Sequence, residues 1–372
     1  MRELLELAEA RRQAAHETLA LATVFRVDGS SYRRIGARML VGGRGRIAGS
    51  VSGGCLEESV VLEAQKTLVD RRGRLLTFDT TRSDDLVFGS GLGCQGKIWV
   101  TIELLPAHEA WPLAELVHRV RLQRTPVVWI TRLFDEPEGV RFQTLSCTDA
   151  GDALPPPSLG APVAEVFSTG KNRVVDDASS PALIEWIAPP VALLIFGGGP
   201  DVMPLVTLAA ALGHEVTVVD RRPDVARSEN FPGALRVLCA RSPQVLLLVP
   251  ADGRTAAVLM NHHYETDRDV LGILLSLALP YVGLLGPRRR TERILFELAE
   301  RGLAISPDTA AALHGPAGLD IGAADPTQIA LSILAEIQAT LADRSGGKLK
   351  FRAAPIHLDR EDSETALCAL PA

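Results

Sequence analysis

A cysteine set among glycines, in Gly49-Ser50-Val51-Ser52-Gly53-Gly54-Cys55-Leu56-Glu57-Glu58, is the part of this chain whose residue types most directly suggest chemistry. It stands where a strand-like segment, Arg46 to Gly49, runs into a helix. Glycines let backbone approach a ligand closely, and the free N–H groups of a helix's first turn favour phosphate or thiolate. An anion site beside an activated thiol is one chemistry this junction suits. The other is plain packing, with Cys55 as a small apolar residue and the glycines as a tight turn.

A second thiol lies in Gly89-Ser90-Gly91-Leu92-Gly93-Cys94-Gln95-Gly96. Taken with Gly29-Ser30-Ser31-Tyr32-Arg33-Arg34 and Arg38, the two loops suggest a pocket with anion donors and soft ligands, because arginine suits phosphate and thiolates favour soft metals. Zinc fits less well, since neither cysteine has a Cys-x-x-Cys partner or a nearby histidine. No metal is assigned to a side chain, and Cys55 and Cys94 stay open as candidates.

The second half holds a different signal. Val191-Ala192-Leu193-Leu194-Ile195-Phe196 is an apolar run of buried-strand length leading into Gly197-Gly198-Gly199-Pro200 and then a helix. The dinucleotide fingerprint wants G-x-G-x-x-G and an acid ending the second strand. Gly197 and Gly199 fit, Val202 takes the third place, and Asp220 falls 21 residues past Gly199. Pro200 removes a backbone donor that a phosphate would use. A site for NAD(P) or another nucleotide and a retained fold with an idle crevice are both open here. His262-His263-Tyr264 follows a predicted strand end, where such sheets place ligands, so His262 joins the candidates. Adjacent histidines on extended chain point apart and do not chelate one metal together.

These residues need elements to position them. At 372 residues the chain has room for two or three domains with cores of their own. The spacing predicts a helix at the start, then strands such as Thr18 to Val27, Arg38 to Val41, Arg74 to Asp79 and Lys97 to Leu105, with a helix after Cys55. From Val191 on, strands and helices alternate, as in a parallel, doubly wound sheet. The expected class is α/β: an N-terminal α/β domain with a mixed sheet over 1–188, then a Rossmann-like doubly wound parallel-sheet domain over 189–342 and a tail over 343–372. The last helix opens at Asp325-Pro326-Thr327-Gln328, which reads as a cap, a first-turn proline and a capping-box glutamine.

Composition excludes some classes. Five scattered cysteines, Cys55, Cys94, Cys147, Cys239 and Cys368, give no disulfide framework and suit a reducing compartment, so a cytoplasmic location is expected. The start mixes charges among its apolar residues and lacks a signal-peptide core. Val270 to Pro287 is the longest uncharged apolar run, yet Pro280, Gly283 and Gly286 divide it into helix and strand, so no membrane partner is expected. A net charge of -6 argues against nucleic acid as a partner.

Gly29-Ser30-Ser31 with Arg33 to Arg38, and then Gly49 to Glu57, resemble the N-terminal signature of the XdhC/CoxI family, accessory factors of xanthine dehydrogenase-type molybdenum enzymes. Met260-Asn261-His262, Tyr281 to Gly286, Gly315-Pro316-Ala317-Gly318-Leu319-Asp320-Ile321-Gly322 and the helix Ile329 to Ile337 look like that family's C-terminal domain. The resemblance covers about 5–105 and 190–340. It implies a factor that binds molybdenum cofactor (molybdopterin) and helps its sulfuration and insertion into an apo-molybdoenzyme. The same resemblance implies a cysteine desulfurase as a further partner and a homodimer as the assembly. By carry-over, Ser30, Ser31, Arg33, Arg38, Ser52, Gly53, Gly54, Cys55, Glu57, Gly93 and Cys94 would contact the cofactor. Two departures stand out: Pro200-Asp201 follows the glycine turn where the family has histidine, and Gln95 interrupts its Gly-Cys-Gly-Gly loop.

Two other functions compete. One is an NAD(P)-dependent oxidoreductase on the Gly197 crevice, although no lysine occurs between Lys171 and Lys348, which excludes a Tyr-x-x-x-Lys relay there and leaves His262 alone. The other is a nucleotide-sensing regulator.

Overall fold

Along β1 (Leu19–Gly29) successive side chains serve two different cores. Ala20, Ala22 and Val24 pack with α2 (Glu57–Asp70) through Val60 and Ala64, while Leu19 and Leu21 pack on the opposite face. A strand buried on both faces is largely apolar, and this one is up to Arg26 except for the buried Thr23. The computed structural model describes residues 1–79, 96–148, 155–176, 180–240 and 251–352.

The chain divides into two units, Met1–Pro189 and Pro190–Ala372. In the first, β1 is flanked by β2 (Arg38–Gly42) and β3 (Gly45–Gly49) on one side and by β5 (Gly96–Leu105) and β4 (Arg74–Asp79) on the other. A second sheet runs β7-β6-β9-β8, from β6 (Val127–Glu136), β7 (Gly139–Cys147), β8 (Arg173–Val175) and β9 (Ala182–Ile187). All registered pairings in both are antiparallel, so the single mixed sheet expected from the sequence is corrected to two antiparallel ones. Hairpin-length connections such as Gly43-Arg44 reverse the chain and permit only that pairing.

The two sheets pack together. Val128 and Ile130 turn outward to α4 (Gly160–Thr169), whereas Val127, Trp129 and Ile187 join Leu19, Leu21 and Leu40 from the first sheet. Two helices, α1 (Arg2–Gln13) and α3 (Pro112–Gln123), close that shared core through Leu7, Leu113, Leu116 and Val117.

The second unit has the strand order β12-β11-β10-β13-β14-β15, all parallel. These are β10 (Ala192–Phe196), β11 (Glu215–Asp220), β12 (Arg236–Cys239), β13 (Thr255–Leu259), β14 (Tyr281–Leu284) and β15 (Leu313–His314). Counted from β10 this is the doubly wound order 3-2-1-4-5-6. Leu193 and Ile195 face α5 (Val202–Ala211) and α9 (Pro326–Leu341); Leu194 and Phe196 face α6 (Tyr264–Leu274) and α7 (Arg288–Glu300). Val202, in the third glycine's place, is fully buried in the first of these cores. Asp325 caps α9 by accepting the Thr327 and Gln328 N–H groups, and Gln328 reaches back to the Ala324 N–H. Among the described residues no helix is long and apolar enough to cross a membrane.

Candidate functional site

The loop from Ser50 to Leu56 joins β3 to α2, and a carboxylate holds it. Glu57, first residue of α2, accepts the Ser52 N–H and the Ser50 hydroxyl, each at 2.9 Å, and the Ser52 hydroxyl as well. The Ser52 oxygen in turn accepts the N–H groups of Gly54 (3.1 Å) and Leu56 (3.0 Å). Burial works against the Glu57 carboxylate, but the hydrogen bonds from Ser52 and Ser50 outweigh it and hold it below the usual range. Val51 and Leu56, fully buried beside Met39 and Val60, pin both ends of the loop.

Between those pins Gly53, Gly54 and Cys55 are exposed. Cys55 is a free thiol at the surface, two residues before the helix, which removes the packing alternative. Among the described residues no hydrogen bond reaches the N–H of Gly53 or Cys55. The loop therefore offers two backbone donors beside a thiol.

The Ser30 to Arg34 segment covers one side. A Cβ built on Gly53 would lie 3.1–3.4 Å from three ring carbons of Tyr32, so a side chain there would push the exposed ring aside. Arg33 is bound two-pronged to Glu3 at 2.9 and 2.5 Å. Ser30 meets the start of β5: Gly29 and Gly96 are in register, and a Cβ on Gly96 would collide with the Ser30 carbonyl oxygen. Ser31 is half-buried in the same turn. Gly93 and Cys94 lie outside the described residues.

Arg38 is set apart. Its carbonyl accepts the Ser50 N–H, yet its guanidinium grips Glu185 at 2.8 and 2.5 Å, with both side chains buried. Strand alternation sends Arg38 to the face opposite Met39, away from α2 and the loop. Its expected role as an anion donor to the cysteine loop is corrected on that ground.

In the second unit Gly197, Gly199, Asp220 and His262 come together. They line a cavity of about 180 Å³ with Arg221, Arg222 and Asn261, beyond the C-terminal ends of β10, β11 and β13. Gly197 has φ +117°, and a Cβ there would lie 2.6 Å from the Met260 carbonyl, so the turn needs glycine. Asp220 is already engaged: Arg222 donates to it from its backbone N–H (2.8 Å), Nε (3.0 Å) and Nη2 (2.9 Å). Burial opposes the Asp220 charge, but these bonds outweigh it and hold the carboxyl below its usual range. His263 caps α6, its Nδ1 accepting the Thr266 N–H, while His262 faces the cavity.

The comparisons bear on both units. Residues 12–79 match the model described as the XdhC and CoxI family, and residues 193–337 match the XdhC Rossmann domain. A relative from Bacillus subtilis (strain 168), described as a probable subunit of xanthine dehydrogenase, is 33% identical over 326 residues, 87% of this chain and 93% of its own. The chain belongs to the XdhC and CoxI family. A further relative, described as the molybdenum cofactor insertion chaperone PaoD of Escherichia coli (strain K12), is 27% identical over 322 residues, 85% of this chain and 81% of its own. The crystal structure of a protein described as a xanthine dehydrogenase from Bacillus halodurans superposes with a TM-score of 0.74 at 29% identity, covering 94% of this chain and 98% of that one.

In this member of the family the Gly315 to Gly322 motif is held by Glu336. Its Oε2 accepts the Gly318 N–H and the Tyr281 hydroxyl, each at 2.7 Å, and its Oε1 lies 3.2 Å from His314 Nδ1. The Tyr281 and His314 rings stack at 4.4 Å. Sequence reading found neither this cluster nor the Arg222 clamp. The clamp had a signal, an arginine two residues past a strand-ending aspartate; the cluster joins three distant positions and had none.

Proposed function

We propose that this protein is an accessory factor that binds molybdenum cofactor, assists its sulfuration and delivers it to an apo-molybdoenzyme of the xanthine dehydrogenase type. The observation that carries this reading is the exposed Cys55 thiol on a loop pre-shaped by Ser52 and Glu57, with the Gly53 and Cys55 N–H groups turned to no protein acceptor among the described residues. Such a loop suits an anionic, sulfur-rich cargo: backbone donors meet its negative charge, and a thiolate is a soft ligand. The relatives described as a molybdenum cofactor insertion chaperone and as a probable subunit of xanthine dehydrogenase support this choice of cargo and client.

In this scheme Ser52 and Glu57 shape the loop, Gly53 and Gly54 keep it open, and Tyr32 with Ser30, Ser31 and Arg33 forms one edge. Gly93 and Cys94 join these as cofactor contacts by the family resemblance. A cysteine desulfurase as sulfur donor and a homodimeric assembly belong to the same proposal. A nucleotide bound through its ribose in the Gly197 crevice would first have to displace Arg222 from Asp220.

The test is metal retention. Protein incubated anaerobically with cofactor and then desalted retains near-stoichiometric molybdenum, and Cys55→Ala retains several-fold less while keeping its thermal midpoint. Absence of retained molybdenum in the parent protein, or equal retention in Cys55→Ala, overturns the reading.

A further inference from the structure

The two sheets of the first unit enclose a polar cavity of about 240 Å³ that the cysteine loop does not use. On one wall, cross-strand register sets Arg38, Thr23 and Thr101 in a row, and Glu103 stands one pleat further along β5. On the facing wall Thr144 and Thr131 are in register, with Trp129 beside them. Packed sheet faces normally make an apolar core, so this gathering of hydroxyls and charges calls for a cause.

The charges do not cancel. Arg38 and Glu185, 4% and 2% exposed, saturate one another through two hydrogen bonds. Glu103 is left over: among the described residues no hydrogen bond reaches its carboxylate, and it lines the cavity. Burial pushes its pKa up to about 7, with Arg38 acting against the shift and Glu185 with it. The other acid at the cavity, Glu109, is exposed at the mouth. The mouth itself is a formed feature, because the buried Arg11 guanidinium donates to the carbonyls of Pro106 (2.6 Å) and Glu109 (3.1 Å) and fixes the strip between them.

We propose that this cavity binds a small organic cation bearing N–H donors, of the guanidinium or alkylammonium class, with Glu103 as its counter-ion. Carboxylate and threonine oxygens accept N–H donors, and the indoles of Trp111 and Trp129, both in the lining, attract a cation. A metal ion fits poorly: among the described residues no three His, Cys, Asp or Glu side chains gather, and Glu185 is committed to Arg38. The proposal is independent of cofactor handling, which uses the loop on the other face of the sheet.

The full-length chain is titrated with methylguanidinium by calorimetry and tryptophan fluorescence at constant ionic strength, with tetramethylammonium, which has no N–H, as control. Saturable binding is expected at pH 8.5, and at pH 6, where Glu103 is mostly protonated, it is about tenfold weaker and uptake of the cation releases a proton to the buffer. E103Q is expected to fold and to lose the binding. A parent protein without saturable binding at pH 8.5, equal affinity for tetramethylammonium, or binding at pH 6 without proton release overturns the proposal even if E103Q fails to fold.

Discussion

Glu57 Oε1 accepts the Ser52 N–H at 2.9 Å while the Ser52 hydroxyl bonds Oε2, so the first residue of α2 holds the loop that precedes it. Glu57→Ala would leave the Ser52 N–H and hydroxyl without their acceptor, while the Ser50 hydroxyl keeps the Ser52 carbonyl at 2.6 Å, at a cost of about 1–3 kcal/mol. Denaturant titration checks it. Because Glu57 is held below the usual carboxylate range, its contribution is present above the unfolded value and is lost as pH falls through the folded one. Glu57→Gln should therefore flatten the acid limb of the stability profile.

Arg38 and Glu185 lie 147 residues apart and are both buried. Removing either partner strands a buried charge, so Arg38→Ala or Glu185→Ala should each cost about 3–5 kcal/mol. The double change Arg38→Met with Glu185→Leu should recover most of that loss. A double-mutant cycle with no coupling would contradict the pairing.

Glu103 predicts a pH dependence of the opposite sign. Its folded pKa is raised to about 7, so the stability it contributes is full below its unfolded value and is lost as pH rises through 7. Between pH 5 and 8.5 the parent protein should lose on the order of 2–3 kcal/mol that Glu103→Gln does not. Unfolding curves at several pH values, compared between the two, decide it.

Arg222 covers a carboxylate that is only 3% exposed. Arg222→Ala should cost about 1–3 kcal/mol and raise the Asp220 pKa toward its ordinary value, leaving the β11 carboxylate open to the crevice. Carbon-detected titration of Asp220 follows the second effect directly. An unchanged titration would mean that the backbone donors alone hold the charge.

Much of the secondary structure was legible in the chain. Strands at Arg74–Asp79 and Glu215–Asp220 occupy the spans their alternation predicts, and Asp325 caps the last helix as its type and spacing require. The parallel sense of the second unit follows from alternating strands and helices, whereas the jump from β12 to β13, which lands beside β10, is a matter of tertiary structure. The glycines around Cys55 could be read too, because residue type limits backbone conformation whatever lies around it.

What the chain alone determined is thus local: conformation, periodicity, the reactive residue types and the family signature. Only the tertiary structure decided which side chains are free. Arg38 looked like an anion donor until the pleat turned it toward Glu185. Asp220 looked open to ribose until Arg222 closed over it. Cys55 could have packed inward, and the Ser52–Glu57 clamp leaves it exposed. The physical reason is range: dihedral preference and amphipathic period act over a few residues, whereas the partner of a charge is set by which sheet faces meet.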